Sequence, residues 1–173
     1  MNITSRPEAH LTPKYLNLNI DEVSSVYEYA AELIVIRNSL SFHSEYTYSS
    51  VNAGENSILL ENKYGFYSIF GTLSWFVTGE HKNYSKGKGI FDRITPKKNF
   101  GTKGGFGALE LAVRYSSLNL NYKDINGGKM DNITFGINWY LNPVSRISFN
   151  YINSRIKDVG MANIYQMRFQ ITF

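Results

Sequence analysis

The chain has 173 residues, a formal net charge of +4 and no cysteine. This length fits one domain, and the absence of cysteine excludes a disulfide framework, a thiolate metal site and a cysteine nucleophile. Aromatic residues make up 15% of the sequence, and no run approaches the ~18 apolar residues of a membrane helix. Because the Lys and Arg residues are dispersed and not clustered on a helix, the basic balance does not predict nucleic-acid binding.

The first half of the chain is predicted to contain four strands, at residues 13–20, 25–36, 39–50 and 64–78. Residues 25–36 include good helix formers such as Glu28 and Ala30, but their apolar period of two favours a strand. A tight turn at 37–38 predicts a hairpin with the next strand, and a polar loop is expected over 51–63. The start of the chain lacks the apolar centre of an export signal. Either the signal has been removed and replaced by an initiator Met, or the chain is the C-terminal part of a longer protein, which is the interpretation we favour.

Residues 79–105 interrupt the strand pattern and are predicted to form a long basic loop without secondary structure. Such loops are often either functional or disordered. If this loop folds into a pore mouth it would raise the local anion concentration, and otherwise it is solvated or faces acidic lipid. Its acidic residues are Glu80 and Asp92, and its basic residues are Lys82, Lys86, Lys88, Arg93, Lys97, Lys98 and Lys103.

Four further strands are predicted at 109–116, 133–141, 147–151 and 163–173. In the last strand a large apolar face that includes Met167 and Phe169 lies opposite Gln166 and Arg168. Short turns at 37–38 and 142–143 alternate with longer loops near 51–63, 121–130 and 154–162, which is typical of outer-membrane barrels. The repeated pattern predicts an all-β, antiparallel transmembrane β-barrel with about eight strands in this chain, its apolar side chains facing lipid and its polar side chains facing inward.

The inward faces carry three candidate anion-attracting residues, Arg114, Arg146 and Arg168. Guanidinium groups bind phosphate oxygens through paired donors, so these residues could attract an anion. They could equally form an interior network of ion pairs with the inward-facing acids. Those acids are Glu28, Glu32, Glu45 and Glu110.

No arrangement of residues predicts an enzyme or a bound cofactor. The histidines are His10, His43 and His81, and their spacing does not predict a metal site. His43 lies two residues from Glu45 on the same strand face, where a hydrogen-bonded pair is more common than a general base. The glycines near residues 101–107 are not followed by a helix, so they do not predict a nucleotide site.

Several stretches resemble the phosphate-selective porin O/P family of bacterial outer membranes. They are residues 74–80 (SWFVTGE), 107–116 (GALELAVRYS), 136–143 (GINWYLNP) and 167–173 (MRFQITF), with looser agreement over 6–13. The resemblance implies a 16-stranded barrel, often trimeric, that passes small anions and especially phosphate through a basic pore. Residues 1–173 would then form a single, partial barrel domain, roughly the C-terminal half, embedded in the outer-membrane bilayer. No phosphate-binding residue is transferred by motif.

Two other interpretations fit the strand pattern. The first is a closed eight-stranded membrane barrel whose lumen is plugged by the Arg and Glu side chains, acting as an anchor or adhesion protein. The second is a soluble lipocalin-like barrel that binds an apolar ligand, which requires the apolar face to point inward.

Overall fold

The computed structural model describes residues 1–54, 63–123 and 125–172, and these residues form strands and no helix. The described parts of the chain therefore contain no helix with the length and apolar content needed to cross a bilayer. The strands are β1 (Asn2–Ser5), β2 (Leu16–Asn19), β3 (Val23–Arg37), β4 (Leu40–Ala53), β5 (Lys63–Phe76), β6 (Tyr84–Ser85), β7 (Ile90–Phe91), β8 (Ala108–Tyr122), β9 (Ile125–Asn142), β10 (Ser145–Ile156) and β11 (Gly160–Ile171).

Seven long strands form one antiparallel sheet in the order β11-β10-β9-β8-β5-β4-β3. Every neighbouring pair is consecutive along the chain except β5 and β8, which are separated by residues 77–107. Within the described residues, β3 and β11 each pair on one side only, so the sheet is open. The all-β, antiparallel prediction is confirmed, whereas the closure between first and last strands that the eight-stranded alternative requires is not formed.

The two faces of this sheet differ sharply in chemistry. We call them the apolar face and the polar face. The large side chains of the apolar face are exposed, and among them Met167 is 75% exposed and Phe169 is 58% exposed. A lipocalin-like barrel requires the opposite arrangement. Other members of the apolar face are Leu33, Phe42, Ile69, Leu73, Val113, Phe135, Ile137 and Phe149, and the polar face includes Ser41, Thr72, Ser74, Arg114, Asn138, Arg146 and Arg168.

The predicted strand at 13–20 is wrong in extent. Only Leu16–Asn19 are extended, and they pair with β1, which the sequence pattern did not predict. This two-stranded ribbon is separate from the main sheet, and its apolar residues are buried against one end of that sheet. Leu16 and Ile20 pack in a cluster with Val51, Tyr64 and Leu120.

Two of the predicted long loops are mostly strand. β8 continues to Tyr122 and β9 begins at Ile125, while β10 continues to Ile156 and β11 begins at Gly160. In β8 the apolar alternation changes phase after Tyr115, because Leu118, Leu120 and Tyr122 pack in or against the buried cluster at the end of the sheet. The pattern of residues 109–116 therefore did not predict this extension. The two tight turns lie one residue later than predicted. Most of the predicted 51–63 loop, at 55–62, and Phe173 of the last strand lie outside the described residues.

The basic segment at 79–105 is also not free of secondary structure, because β6 and β7 pair within it. Its first part contacts the polar face, where Ile94 packs against Phe76 and Tyr140. Its last part contacts the apolar face, where Phe100 packs on the Trp139 ring together with Phe106, the residue that follows the segment. The segment therefore passes around one end of the sheet.

Candidate functional site

The polar face of the main sheet carries all three arginines that the sequence pattern placed inside. Arg114 lies on β8, Arg146 on β10 and Arg168 on β11. Their alternation with apolar residues fixes this placement, since successive side chains of a strand point to opposite faces. The structure does not bring the three together as one group, because each has different partners.

Arg114 is neutralised by an acidic residue from the start of the chain. Its Nε donates to Glu8 Oε1 at 2.7 Å, and one of its terminal nitrogens donates to Thr72 Oγ1 at 3.1 Å. The guanidinium also lies 3.7 Å from the centre of the Phe70 ring. The carboxylate of Glu8 therefore compensates this arginine directly.

Arg146 and Arg168 form no ion pair with any described residue. Arg146 donates to Gln170 Oε1 at 2.7 Å and lies over the Tyr140 ring. In the strand register Arg146 is opposite Gln170 and Arg168 is opposite Ser148, so the two arginines are diagonal neighbours. Both line a cavity of about 490 Å³ between the sheet and residues 8–12. Its polar lining also includes Asn138, Ser148, Asn150 and Gln166.

The basic segment is tied to the polar face by a second ion pair. Lys82 Nζ lies 2.7 Å from Glu110 Oε1 and also donates to Ser74 Oγ at 2.8 Å. Glu110 is almost fully buried and accepts further hydrogen bonds from Asn138 and Tyr140. Lys82 is thus compensated and adds little net charge to the face.

Glu80 anchors the start of the basic segment. Burial raises the pKa of Glu80, but hydrogen bonds from the Thr78 hydroxyl and the Lys97 backbone N–H outweigh it and hold the pKa below its ordinary value of 4.5. The Lys97 N–H donates to Glu80 Oε1 at 3.0 Å, and the Leu109 N–H donates to Thr78 Oγ1 at 2.9 Å. These bonds connect both ends of the segment to each other.

The remaining basic residues of the segment are exposed and lie in different places. Arg93 lines a second cavity of about 510 Å³ together with Lys82 and Arg146. Lys98 and Lys103 lie on either side of Phe100, whose ring contacts Trp139 on the apolar face. The exposed set is Lys86, Lys88, Arg93, Lys97, Lys98 and Lys103.

The expected pairing of His43 with Glu45 is wrong. His43 Nε2 instead lies 2.8 Å from Glu32 Oε1 on the neighbouring strand. Glu32 is within reach because it is the diagonal neighbour of His43, whose directly opposite residue is Ile34. Among the described residues, no group of three or more His, Asp or Glu side chains is arranged to hold a metal ion.

A family model described as phosphate-selective porin O and P matches residues 1–173, the whole chain. The chain belongs to this family. Porins are channels and not enzymes, and the family implies a bacterial outer-membrane protein. An uncharacterized protein of Caulobacter vibrioides is 37% identical over 86 residues, which cover 50% of this chain and 17% of that relative. The chain thus spans only a small part of the length of the relative.

The sequence pattern did not predict one residue, Glu8, and two ion pairs that determine the charge of the polar face. Glu8 and Arg114 are separated by 106 residues, and Lys82 and Glu110 meet across the basic segment. Periodicity describes which face a residue occupies, but it carries no information about partners brought in from another segment. The one feature of the sequence that could have indicated a role for Glu8 is its position in the stretch at 6–13, which loosely matches the family.

Proposed function

We propose that this chain forms part of an outer-membrane porin for passive diffusion of small anions, with phosphate the leading candidate. The observation that carries the proposal is the cavity lined by Arg146 and Arg168, which have no ion-pair partner among the described residues. Guanidinium groups bind oxyanions through paired N–H donors, and uncompensated positive charge in a polar channel raises the local concentration of anions.

The open sheet supports a barrel that is completed by further strands. Backbone groups on the outer edges of β3 and β11 need partners in a membrane, because lipid offers no hydrogen bonds. We infer that residues 1–173 form one partial barrel domain, roughly half of a 16-stranded barrel that could assemble as a homotrimer. The outer-membrane bilayer would contact the apolar face.

Charge compensation explains how the selectivity would arise. Glu8 neutralises Arg114 and Glu110 neutralises Lys82, so the net positive charge of the polar face lies toward β10 and β11. Arg93 of the basic segment adds to it, because it lines the neighbouring cavity with Arg146. Anions would therefore pass along this side of the channel.

The test is the reversal potential of single channels in planar bilayers under a salt gradient, with the protein expressed from its complete gene. The double substitution Arg146→Gln and Arg168→Gln should lower the ratio of anion to cation permeability several-fold. Arg155→Gln is the matched control, because Arg155 is an exposed residue of β10 on the opposite face. Equal effects of the two changes would argue against the proposal.

A plugged barrel that acts as an anchor is the second candidate. It is favoured by the two ion pairs that hold residues 8 and 82 against the polar face. The same bilayer measurement separates the two functions. A folded, membrane-inserted protein without measurable conductance would support the anchor.

A further inference from the structure

Glu8 occupies a site on the polar face that is built from two strands. Its carboxylate accepts from Arg114 Nε at 2.7 Å, from Ser116 Oγ at 2.7 Å and from Thr134 Oγ1 at 2.5 Å. The donors come from β8 and β9 near the middle of their length, and the Glu8 side chain is mostly buried there. Both oxygens of the carboxylate are therefore bound by side chains of the sheet.

This donor set is suited to an oxyanion. A guanidinium N–H and two hydroxyl groups surround a single negative charge. Hydrogen bonds to a charged group of this kind are stronger than hydrogen bonds between neutral groups. The Phe70 ring covers one face of the guanidinium, so Arg114 presents its N–H edge to the site. The oxygens of Glu8 stand where two oxygens of a diffusing oxyanion would bind.

We propose that Arg114, Ser116 and Thr134 form an oxyanion-binding subsite, and that Glu8 is a built-in competitor that an ion of the phosphate class displaces. The inference rests on the proposed porin function and adds a specificity-determining residue to it. Competition by Glu8 keeps the apparent affinity of the subsite for the ion low. Only those molecules in which the Glu8 carboxylate has left the subsite can bind the ion. Weak binding is what conduction requires, since the ion must also leave.

The first test uses Glu8→Gln in the porin expressed from its complete gene, with inorganic phosphate added to a chloride current. Half-inhibition should require roughly fivefold less phosphate, because the competing carboxylate is gone. Glu28→Gln is the matched control. It removes the same charge from an exposed position of β3, where Glu28 accepts from Ser49 and, among the residues that the structure describes, contacts no arginine.

A double substitution separates the subsite from a general charge effect. In an Arg114→Gln background, Glu8→Gln should no longer change the phosphate concentration for half-inhibition. If the Glu8→Gln protein does not insert into the membrane, Glu8→Asp is the second variant, because it keeps the negative charge and shortens the side chain. An unchanged phosphate dependence in Glu8→Gln, or the same change with and without Arg114, would overturn the proposal.

Displacement can be observed with a thiol reagent, because residues 1–173 contain no cysteine and any cysteine elsewhere in the complete protein can be replaced by serine. Ala9 is buried next to Glu8, so the thiol of Ala9→Cys should react slowly with a neutral maleimide. When Glu8 is unchanged, phosphate should accelerate the reaction of Ala9→Cys several-fold. The acceleration should be much smaller when Arg114→Gln is also present. If phosphate does not change the rate of the maleimide reaction while the channel still selects anions, the inference about Glu8 is wrong. That result would not contradict the proposed porin function.

Discussion

At the scale of single residues, the Lys82–Glu110 ion pair gives the sharpest prediction of stability. Lys82→Met should lower the free energy of unfolding by about 3 kcal/mol, because it leaves the buried Glu110 carboxylate without its cation. Urea unfolding from lipid vesicles measures the change. Lys86→Met is the control, since Lys86 is exposed on the same segment, and an equally small effect for both would contradict the prediction.

Glu80 should make the order of the basic segment depend on pH. Its pKa is lowered in the folded protein, so ionised Glu80 stabilises the segment at pH values above its ordinary 4.5. That contribution should be lost as the pH falls from 4.5 through the lowered folded pKa. The protection of the Lys97 amide against hydrogen exchange, measured from pH 6 to pH 3, reports the change.

Glu80→Gln provides the comparison for this pH dependence. The amide side chain does not ionise in this range, so the protection of the Lys97 amide should be lower at pH 6 and nearly independent of pH. A parallel fall in protection in both proteins would show that another group controls the segment.

At the scale of the elements, the two faces of β11 should respond oppositely to the same substitution. Met167→Arg should destabilise the inserted protein by about 2–4 kcal/mol, because it places a charge in hydrocarbon. Gln166→Arg should have little effect, because strand alternation places Gln166 on the polar face, opposite Asn150 of β10. Unfolding from lipid vesicles compares the two, and similar losses would contradict the placement of the apolar face in lipid.

The long strands could be predicted from the sequence where one face is apolar and the other polar. Residues 163–171 show this pattern and are part of β11. Hairpin ends could not be predicted, because at Asn121 the pairing is maintained by polar contacts such as the hydrogen bond from the Gly128 N–H to Asn121 Oδ1. The pairing of β1 with β2 depends on burial of Leu16 against distant strands, which local pattern does not reveal.

The candidate site was only partly predictable for the same physical reason. Strand alternation placed Arg114, Arg146 and Arg168 on the polar face, and the structure has them there. It could not distinguish compensated from uncompensated arginines, because Glu8 reaches Arg114 from another part of the chain. The net charge along the polar face is a property of tertiary contacts.

At the scale of the whole molecule, the free edges of the sheet lead to the last prediction. Backbone N–H groups on the outer edges of β3 and β11 should exchange slowly with solvent deuterium in the membrane-inserted product of the complete gene, because further strands would pair with them. In residues 1–173 produced alone and placed in detergent, the same amides should exchange much faster. Amides between β8 and β9 are the internal control, since both strands are paired on each side within the described sheet. Rapid exchange at β3 and β11 in the complete protein would show that these edges stay unpaired, and it would refute the partial-barrel proposal.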